Sequence, residues 1–85
     1  MKSQLDQIFD ILHREYPTKK SFTSRFISDY LSSRLHTPEV EALSNADYAY
    51  WQHNYVASLL YNATKAKTPK ITRVSHKGTF FYSHS

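Results

Sequence analysis

The sequence predicts a mainly α-helical domain that ends in a β-hairpin. Three segments before Pro69 place apolar residues at the spacing of one helix face. After Pro69 the pattern changes to two short runs rich in β-branched and aromatic residues, which is typical of strands. The single glycine, Gly78, lies between these two runs, where a tight turn needs a residue that tolerates positive φ.

Length and composition indicate one domain over residues 1–85, and we expect the chain to be a complete small protein. Hydrophobic residues make up 40% of the sequence and aromatic residues 15%, which is too much for intrinsic disorder. No stretch approaches the roughly 20 apolar residues that span a bilayer, and the N-terminus lacks an apolar signal core. The absence of cysteine excludes disulfides and thiolate metal sites. We therefore expect a cytoplasmic protein with no membrane partner.

The first helix is predicted over about residues 3–16 and the second over about 22–35. Ser3 is expected to cap the first helix and Pro17 to end it, while Ser21 is expected to cap the second. The expected apolar positions are Leu5, Ile8, Phe9, Leu12, Tyr16, Phe22, Phe26, Ile27, Tyr30, Leu31 and Leu35. The positions expected outside the apolar arc of the second helix are Arg25, Ser28, Asp29 and Ser32.

A short helical turn is predicted over 38–43, because Thr37 and Pro38 form a cap and a first helical position. A third long helix is predicted over about 45–67, capped by Ser44 or Asn45. One half of its wheel is apolar and contains Tyr48, Trp51, Tyr55, Val56, Leu59, Leu60 and Ala63. The other half contains Tyr50, His53, Asn54, Ala57, Ser58, Tyr61 and Lys65, with no acid beyond Asp47 at the start.

The hairpin is predicted over 70–83, with Gly78 in a loop of three or four residues. If Gly78 is the left-handed residue of a bulged turn, Val74 opposes Phe80 and Thr72 opposes Tyr82. A change of one residue in register would exchange the two faces of the sheet, and the sequence leaves this open.

Charge is distributed unevenly along the chain. From Tyr48 to Ser85 there is no Asp or Glu, whereas five Lys or Arg residues lie in that segment. All seven acids precede it, so this segment supplies the whole excess of the formal net charge of +4. A cationic surface without carboxylates favours a polyanion, because phosphate binding gains from counterion release and loses from nearby acids. Nucleic acid is the expected partner.

Three helices followed by a two-stranded hairpin is the element order of the winged helix-turn-helix superfamily, and the chain resembles it over about residues 3–83. The likeness is closest in the tail ITRVSHKGTFFYS, which is similar to the wing strands of such domains and to the wing of the HARE-HTH type. The resemblance implies a third helix in the major groove of double-stranded DNA, with the hairpin beside it as a wing. The long third helix and the extended turn over 36–44 depart from the usual pattern.

By position, the resemblance implies that Asn54 pairs with adenine and that the cations neutralise phosphates. The DNA-binding residues expected on this basis are Lys19, Lys20, Tyr50, His53, Asn54, Ser58, Tyr61, Lys65, Lys67, Lys70, Arg73, His76 and Lys77. A homodimer is expected, because a single domain of this size reads few base pairs. The expected role is that of a small regulator of transcription or replication, of bacterial, plasmid or viral origin, for example from a phage.

Other classes of function are less well supported by the sequence. The five His residues form no ligand pair at metal-binding spacing, and nothing brings a nucleophile, a base and an orienting acid together. We therefore expect neither an enzyme nor a metal or other cofactor, and interpret Asp6, Asp10 and Glu15 as solvated charges. The main alternative is a protein-interaction adaptor, such as a phage or plasmid accessory protein, with an aromatic patch of Tyr50, Tyr61 and Phe81. Binding of structured RNA is a third possibility.

Overall fold

The computed structural model describes residues 3–43 and 51–84. They form four helices and one antiparallel hairpin: α1 (Gln4–Glu15), α2 (Ser24–Ser33), α3 (Pro38–Leu43), α4 (His53–Thr64), β1 (Ile71–His76) and β2 (Thr79–His84). α2 packs on α4, α1 contacts α3, and the hairpin lies against both α2 and α4. The predicted order of helices followed by a C-terminal hairpin is confirmed. None of the helices in these ranges is long and apolar enough to cross a bilayer.

One core joins the elements. Its fully buried side chains are Ile8, Phe9, Leu12, Phe22, Ile27, Leu31, Trp51, Val56 and Leu60. Helices and hairpin both contribute to the wider buried cluster, since Ile71 and Tyr82 are also buried. The hairpin is therefore part of the packed domain, which matters because an isolated two-stranded hairpin is marginally stable in water.

α1 begins as predicted at the Ser3 cap. The Ser3 hydroxyl accepts a hydrogen bond from the backbone N–H of Asp6 at 3.1 Å, and the Asp6 carboxylate accepts one from the N–H of Ser3 at 3.4 Å. This reciprocal pair satisfies two N–H groups that the helix itself cannot. The helix ends at Glu15, so Tyr16 lies beyond it and is 37% exposed, although its position on the apolar face predicted burial.

α2 begins at Ser24, two residues later than predicted, because Phe22 pairs with the hairpin. The N–H of Phe22 donates to the carbonyl of Tyr82 at 2.9 Å, and the N–H of Tyr82 donates to the carbonyl of Phe22 at 2.8 Å. The cap is Thr23, whose hydroxyl accepts from the N–H of Phe26 at 3.0 Å, and not Ser21. At the other end the helix stops at Ser33, short of the predicted 35.

α3 confirms the helical turn predicted over 38–43, with the Thr37 hydroxyl accepting from the N–H of Val40 at 3.4 Å. The predicted caps Ser44 and Asn45, together with Tyr48, lie outside the described residues.

α4 is shorter than the helix predicted over 45–67. Trp51 and Gln52 precede it in non-helical conformation, and Gln52 has the extended dihedral angles of an N-cap (φ −72°, ψ 146°). Lys65 ends it, with its N–H donating to the carbonyl of Asn62 at 3.2 Å in a tightened last turn. The prediction was wrong at both points because no proline or glycine marks either boundary.

The hairpin turn contains two residues, not the predicted three or four. Lys77 and Gly78 both have positive φ, at 52° and 80°, which is the pattern of a type I′ turn. Val74 therefore pairs with Phe81, and Arg73 pairs with Tyr82. This register differs by one residue from the bulged alternative, and the predicted left-handed role of Gly78 is confirmed.

The end of β2 is fastened to the start of α1. Nε2 of His84 lies 2.7 Å from Oδ1 of Asp6, and the His84 ring stacks on Phe9 with centroids 5.4 Å apart. Lys70 Nζ lies 3.9 Å from the same carboxylate. The interpretation of Asp6 as a solvated charge was wrong. The hydrogen bond from His84, followed by those from Ser3, lowers the pKa of Asp6, although partial burial opposes the shift.

We predict that Asp6→Asn lowers the free energy of unfolding at pH 7 by about 1–2 kcal/mol, because a charge-assisted hydrogen bond is weakened. A carboxyl whose pKa is lower in the folded state contributes stability above its unfolded pKa and loses it as pH falls through the folded value. The difference between wild type and variant should therefore shrink below pH ~4 in urea denaturation. Asp29→Asn, the same change at an exposed position of α2, is the control. An Asp6→Asn effect that is equal at pH 7 and pH 3 would contradict the assignment.

Candidate nucleic-acid interface

Side chains of α2 hold the start of α4. The buried Trp51 offers its carbonyl oxygen to the hydroxyl of Ser28 at 2.9 Å and to that of Ser32 at 3.1 Å. Oγ of Ser24 lies 2.9 Å from Nε2 of His53, which is half-buried in the first turn of α4. Ser28, expected outside the apolar arc, is buried because it makes this contact. These hydrogen bonds fix where α4 begins relative to α2.

The burial pattern of α4 agrees in part with the two predicted halves of its wheel, since Tyr55, Leu59 and Ala63 of the apolar half, and His53 and Ala57 of the other half, are all half-buried. Val56 and Leu60 are buried against the rest of the domain. Asn54 and Ser58 are exposed, and Tyr61 is 40% exposed. An amide, a hydroxyl and a phenol therefore follow one another along the solvent side of this helix.

Strand alternation divides the hairpin side chains between two faces. Ile71 and Tyr82 are buried on the face toward the helices. Arg73 follows Ile71 by two residues, and Phe80 precedes Tyr82 by two, so both belong to this helix-side face. Val74 lies on the opposite, outer face and is 61% exposed.

Arg73 and Phe80 reach the exposed side of α4 near its end. The guanidinium carbon of Arg73 lies 4.3 Å from the ring centroid of Phe80 and 5.5 Å from that of Tyr61. Lys65 Nζ lies 4.3 Å from the Tyr61 centroid. We call Tyr61, Lys65, Arg73 and Phe80 the aromatic–cation cluster. The hydrogen bond from Lys65, and then the charges of Lys65 and Arg73, lower the pKa of Tyr61 because they favour the phenolate.

Two other expected contact residues lie away from this cluster. Lys70 Nζ is directed to the Asp6 carboxylate at the start of α1. Lys19 lies before α2, with its Nζ 4.8 Å from the ring centroid of Phe26. Their side chains are thus engaged within the domain.

The outer face of the hairpin holds a separate group of residues. Lys20 and His76 border a shallow groove there with Val74 and Phe81, and the rings of His76 and Phe81 are 6.5 Å apart. The adaptor hypothesis assigned Phe81 and Tyr61 to one aromatic patch. Phe81 lies on the outer face of the hairpin, whereas Tyr61 of α4 contacts Arg73 on the helix-side face.

The remaining expected residues are at the ends of elements. Lys67 is exposed in the segment after α4, and Lys77 is exposed in the hairpin turn. Tyr50 lies outside the described residues.

The described acids are concentrated on three helices. They are Asp6, Asp10 and Glu15 on α1, Asp29 on α2, and Glu39 and Glu41 on α3. One exposed pair neutralises part of this charge, since Arg14 lies 2.8 Å from Glu39. From Trp51 to His84 there is no carboxylate, and the five cations of this part lie at the end of α4, in the segment after it and in the hairpin: Lys65, Lys67, Lys70, Arg73 and Lys77. No group of three His, Asp or Glu side chains within residues 3–43 and 51–84 is arranged to hold a metal ion.

Sequence reasoning did not identify Phe80 as a site residue. Its role depends on the hairpin register, which places it beside Arg73 instead of opposite Val74. Ser24 was missed for a similar reason, because its contact with His53 spans 29 residues of sequence.

Comparison with known proteins identifies no relative: no protein-family model matches the chain, and no curated protein or solved structure shows significant similarity to it. The functional assignment therefore depends on the chemistry of the described surface.

We predict that the hydroxyls of Ser28 and Ser32 substitute for each other. Ser28→Ala or Ser32→Ala alone should cost under about 1.5 kcal/mol of stability, because the second hydroxyl still satisfies the Trp51 carbonyl. The double variant should cost more than the sum of the singles by about 1 kcal/mol, because a buried carbonyl is left without a side-chain donor. Urea denaturation of the four proteins measures this coupling, and simple additivity would show that the two bonds act independently.

Proposed function

We propose that the chain binds double-stranded DNA through the exposed side of α4 and the adjoining hairpin. The observation that carries the proposal is the separation of charge: α4 and the hairpin have no acid, whereas the described carboxylates belong to α1, α2 and α3. A phosphate backbone gains from such a surface by counterion release and meets no repelling carboxylate on it. The role is one of binding and not of catalysis.

The arrangement of helices supports a winged helix-turn-helix mode of docking. α2 packs on α4, and the hairpin lies beside α4 with Arg73 near Tyr61. In this mode α4 enters the major groove with Asn54 toward base edges, and the hairpin follows the backbone. Asn54 is well suited to this, because its amide can pair with adenine and its neighbour Ser58, one turn on, is small.

Under this proposal the protein is a small regulator of transcription or replication that acts as a cytoplasmic homodimer. A domain with one short helix at the interface reads few base pairs. Two copies would double that number and so provide the specificity that a regulator needs. The proposal assigns base contacts to α4 and phosphate contacts to Lys65, Arg73 and Lys77.

A specific observation favours a second candidate, binding of a partner protein. The outer hairpin face exposes Val74 beside Phe81, with Lys20 and His76 at the rim. An apolar centre with a polar rim is the usual anatomy of a protein interface. This adaptor function would use the outer face and leave Asn54 without a role.

The proposal is tested by electrophoretic mobility shift with duplex DNA at 50 and 200 mM salt. Binding should weaken steeply with salt, by roughly tenfold or more if several phosphates are contacted. A selected high-affinity site should then distinguish the variants: Asn54→Ala should cost about 1–3 kcal/mol on that site and little on random DNA. Val74→Ser is the matched control, because it changes an exposed hairpin residue on the outer face. Absence of duplex binding at 50 mM salt, or an equal loss for both variants, would contradict the proposal.

A further inference from the structure

Tyr61 lies between two cations whose charges act on its phenol oxygen. Lys65 approaches from the same helix, one turn further on, and Arg73 from β1. The hydrogen bond from Lys65, and then the charges of Lys65 and Arg73, lower the pKa of Tyr61. A phenol oxygen that accepts from Lys65 still has its own O–H to donate. Two cations and one phenol hydroxyl therefore belong to a single group of neighbouring side chains.

Arg73 is oriented by Phe80. The guanidinium carbon lies 4.3 Å from the Phe80 centroid, within the range of a cation–π contact. A guanidinium stacked on a ring keeps its N–H groups at the edge available for an anion. Phe80 thus restricts Arg73 without occupying its donors.

The two cations have no carboxylate partner among residues 3–43 and 51–84. Tyr61, Lys65 and Arg73 of the cluster border an open groove of about 490 Å³ between the end of α4 and the start of β1, which is lined also by Thr64 and Thr72. The Thr64 hydroxyl donates to the Tyr61 carbonyl at 2.7 Å, which leaves the hydroxyls of Tyr61 and Thr72 for a ligand. Two positive charges and these two hydroxyls at one groove match the chemistry of a phosphate group, which carries charge and several acceptor oxygens.

We propose that Tyr61, Lys65 and Arg73 together hold a single backbone phosphodiester, and that Phe80 is a positioning residue for Arg73. This inference deepens the proposed duplex binding and rests on it. It goes further because it assigns the two cations to one phosphate instead of two, and because it gives an aromatic residue of the hairpin a role in orienting the contact.

The number of phosphates can be counted from the salt dependence of duplex affinity. The slope of log K against log salt falls by about 0.9 for each phosphate contact removed. We expect Lys65→Ala and Arg73→Ala each to reduce the slope by no more than about 0.9, and the double variant also by about 0.9, because the same phosphate is lost. Two independent contacts would give a reduction of about 1.8 in the double variant.

A second double variant, Lys65→Ala with Lys77→Asn, shows what the loss of two separate phosphate contacts does to the salt slope. Lys77 has positive φ, and Asn followed by glycine suits a type I′ turn, so this change removes the charge and keeps the hairpin. The effects of these two changes should add, because the proposed function gives Lys77 a separate phosphate.

The role of Phe80 is tested in the same assay. Phe80→Leu should weaken duplex binding as much as Arg73→Ala does, and the two changes together should reduce affinity no more than either alone. Phe80→Tyr, which keeps an aromatic ring beside Arg73, should retain the affinity of the wild type. Circular dichroism checks that each variant is folded.

The outcomes separate the two claims. Suppose that the wild-type protein binds duplex with the expected salt slope. If the slope of the Lys65/Arg73 double variant is then reduced by about 1.8, or is not reduced at all, the shared phosphate is overturned and the proposed function remains in place. Duplex binding that is absent in the wild type overturns both. If Phe80→Leu binds duplex with the affinity of the wild type, while the Lys65/Arg73 result is as expected, Phe80 does not position Arg73.

Discussion

The pairing of Phe22 with Tyr82 is the constraint on which the rest of the structure depends. Its two backbone hydrogen bonds join the segment before α2 to the middle of β2, and both side chains are buried in the common core. A hairpin alone would be marginally stable. Anchored at this point, and with the two-residue turn at Lys77 and Gly78, it can present only one of its faces to the helices.

The choice of face determines the character of the surface. With Tyr82 inward, Arg73 and Phe80 lie on the helix side and meet Tyr61. A shift of one residue in register would direct Val74 toward the helices and turn Arg73 away. The aromatic–cation cluster therefore follows from backbone pairing. The proposed site depends on hydrogen bonds between Phe22 and Tyr82, which are more than 50 residues apart in sequence.

Local signals in the sequence were sufficient for part of this architecture. The Ser3 cap, the short helix after Thr37 and the left-handed Gly78 were predicted because each depends on neighbouring residues alone. The exposure of Asn54, Ser58 and Tyr61 on α4 was also predicted, since helical spacing determines it. The boundary at Trp51 was not, because it depends on hydrogen bonds from Ser28 and Ser32 to the Trp51 carbonyl, which helical periodicity does not reveal. The exclusion of Phe22 from α2 was not predicted and the strand register was left open for the same physical reason: long-range pairing overrides local propensity.

The central claim, that one continuous surface of α4 and the helix-side face of the hairpin meets duplex DNA, is tested most directly by NMR chemical-shift mapping. Backbone amides of the 15N-labelled protein would be followed during titration with a short duplex at low salt. The account predicts that the perturbed amides cluster in α4 and the hairpin, with α1 and α3 unchanged. Perturbations confined to α1 and α3, or to the outer face around Val74 and Lys20, would contradict it.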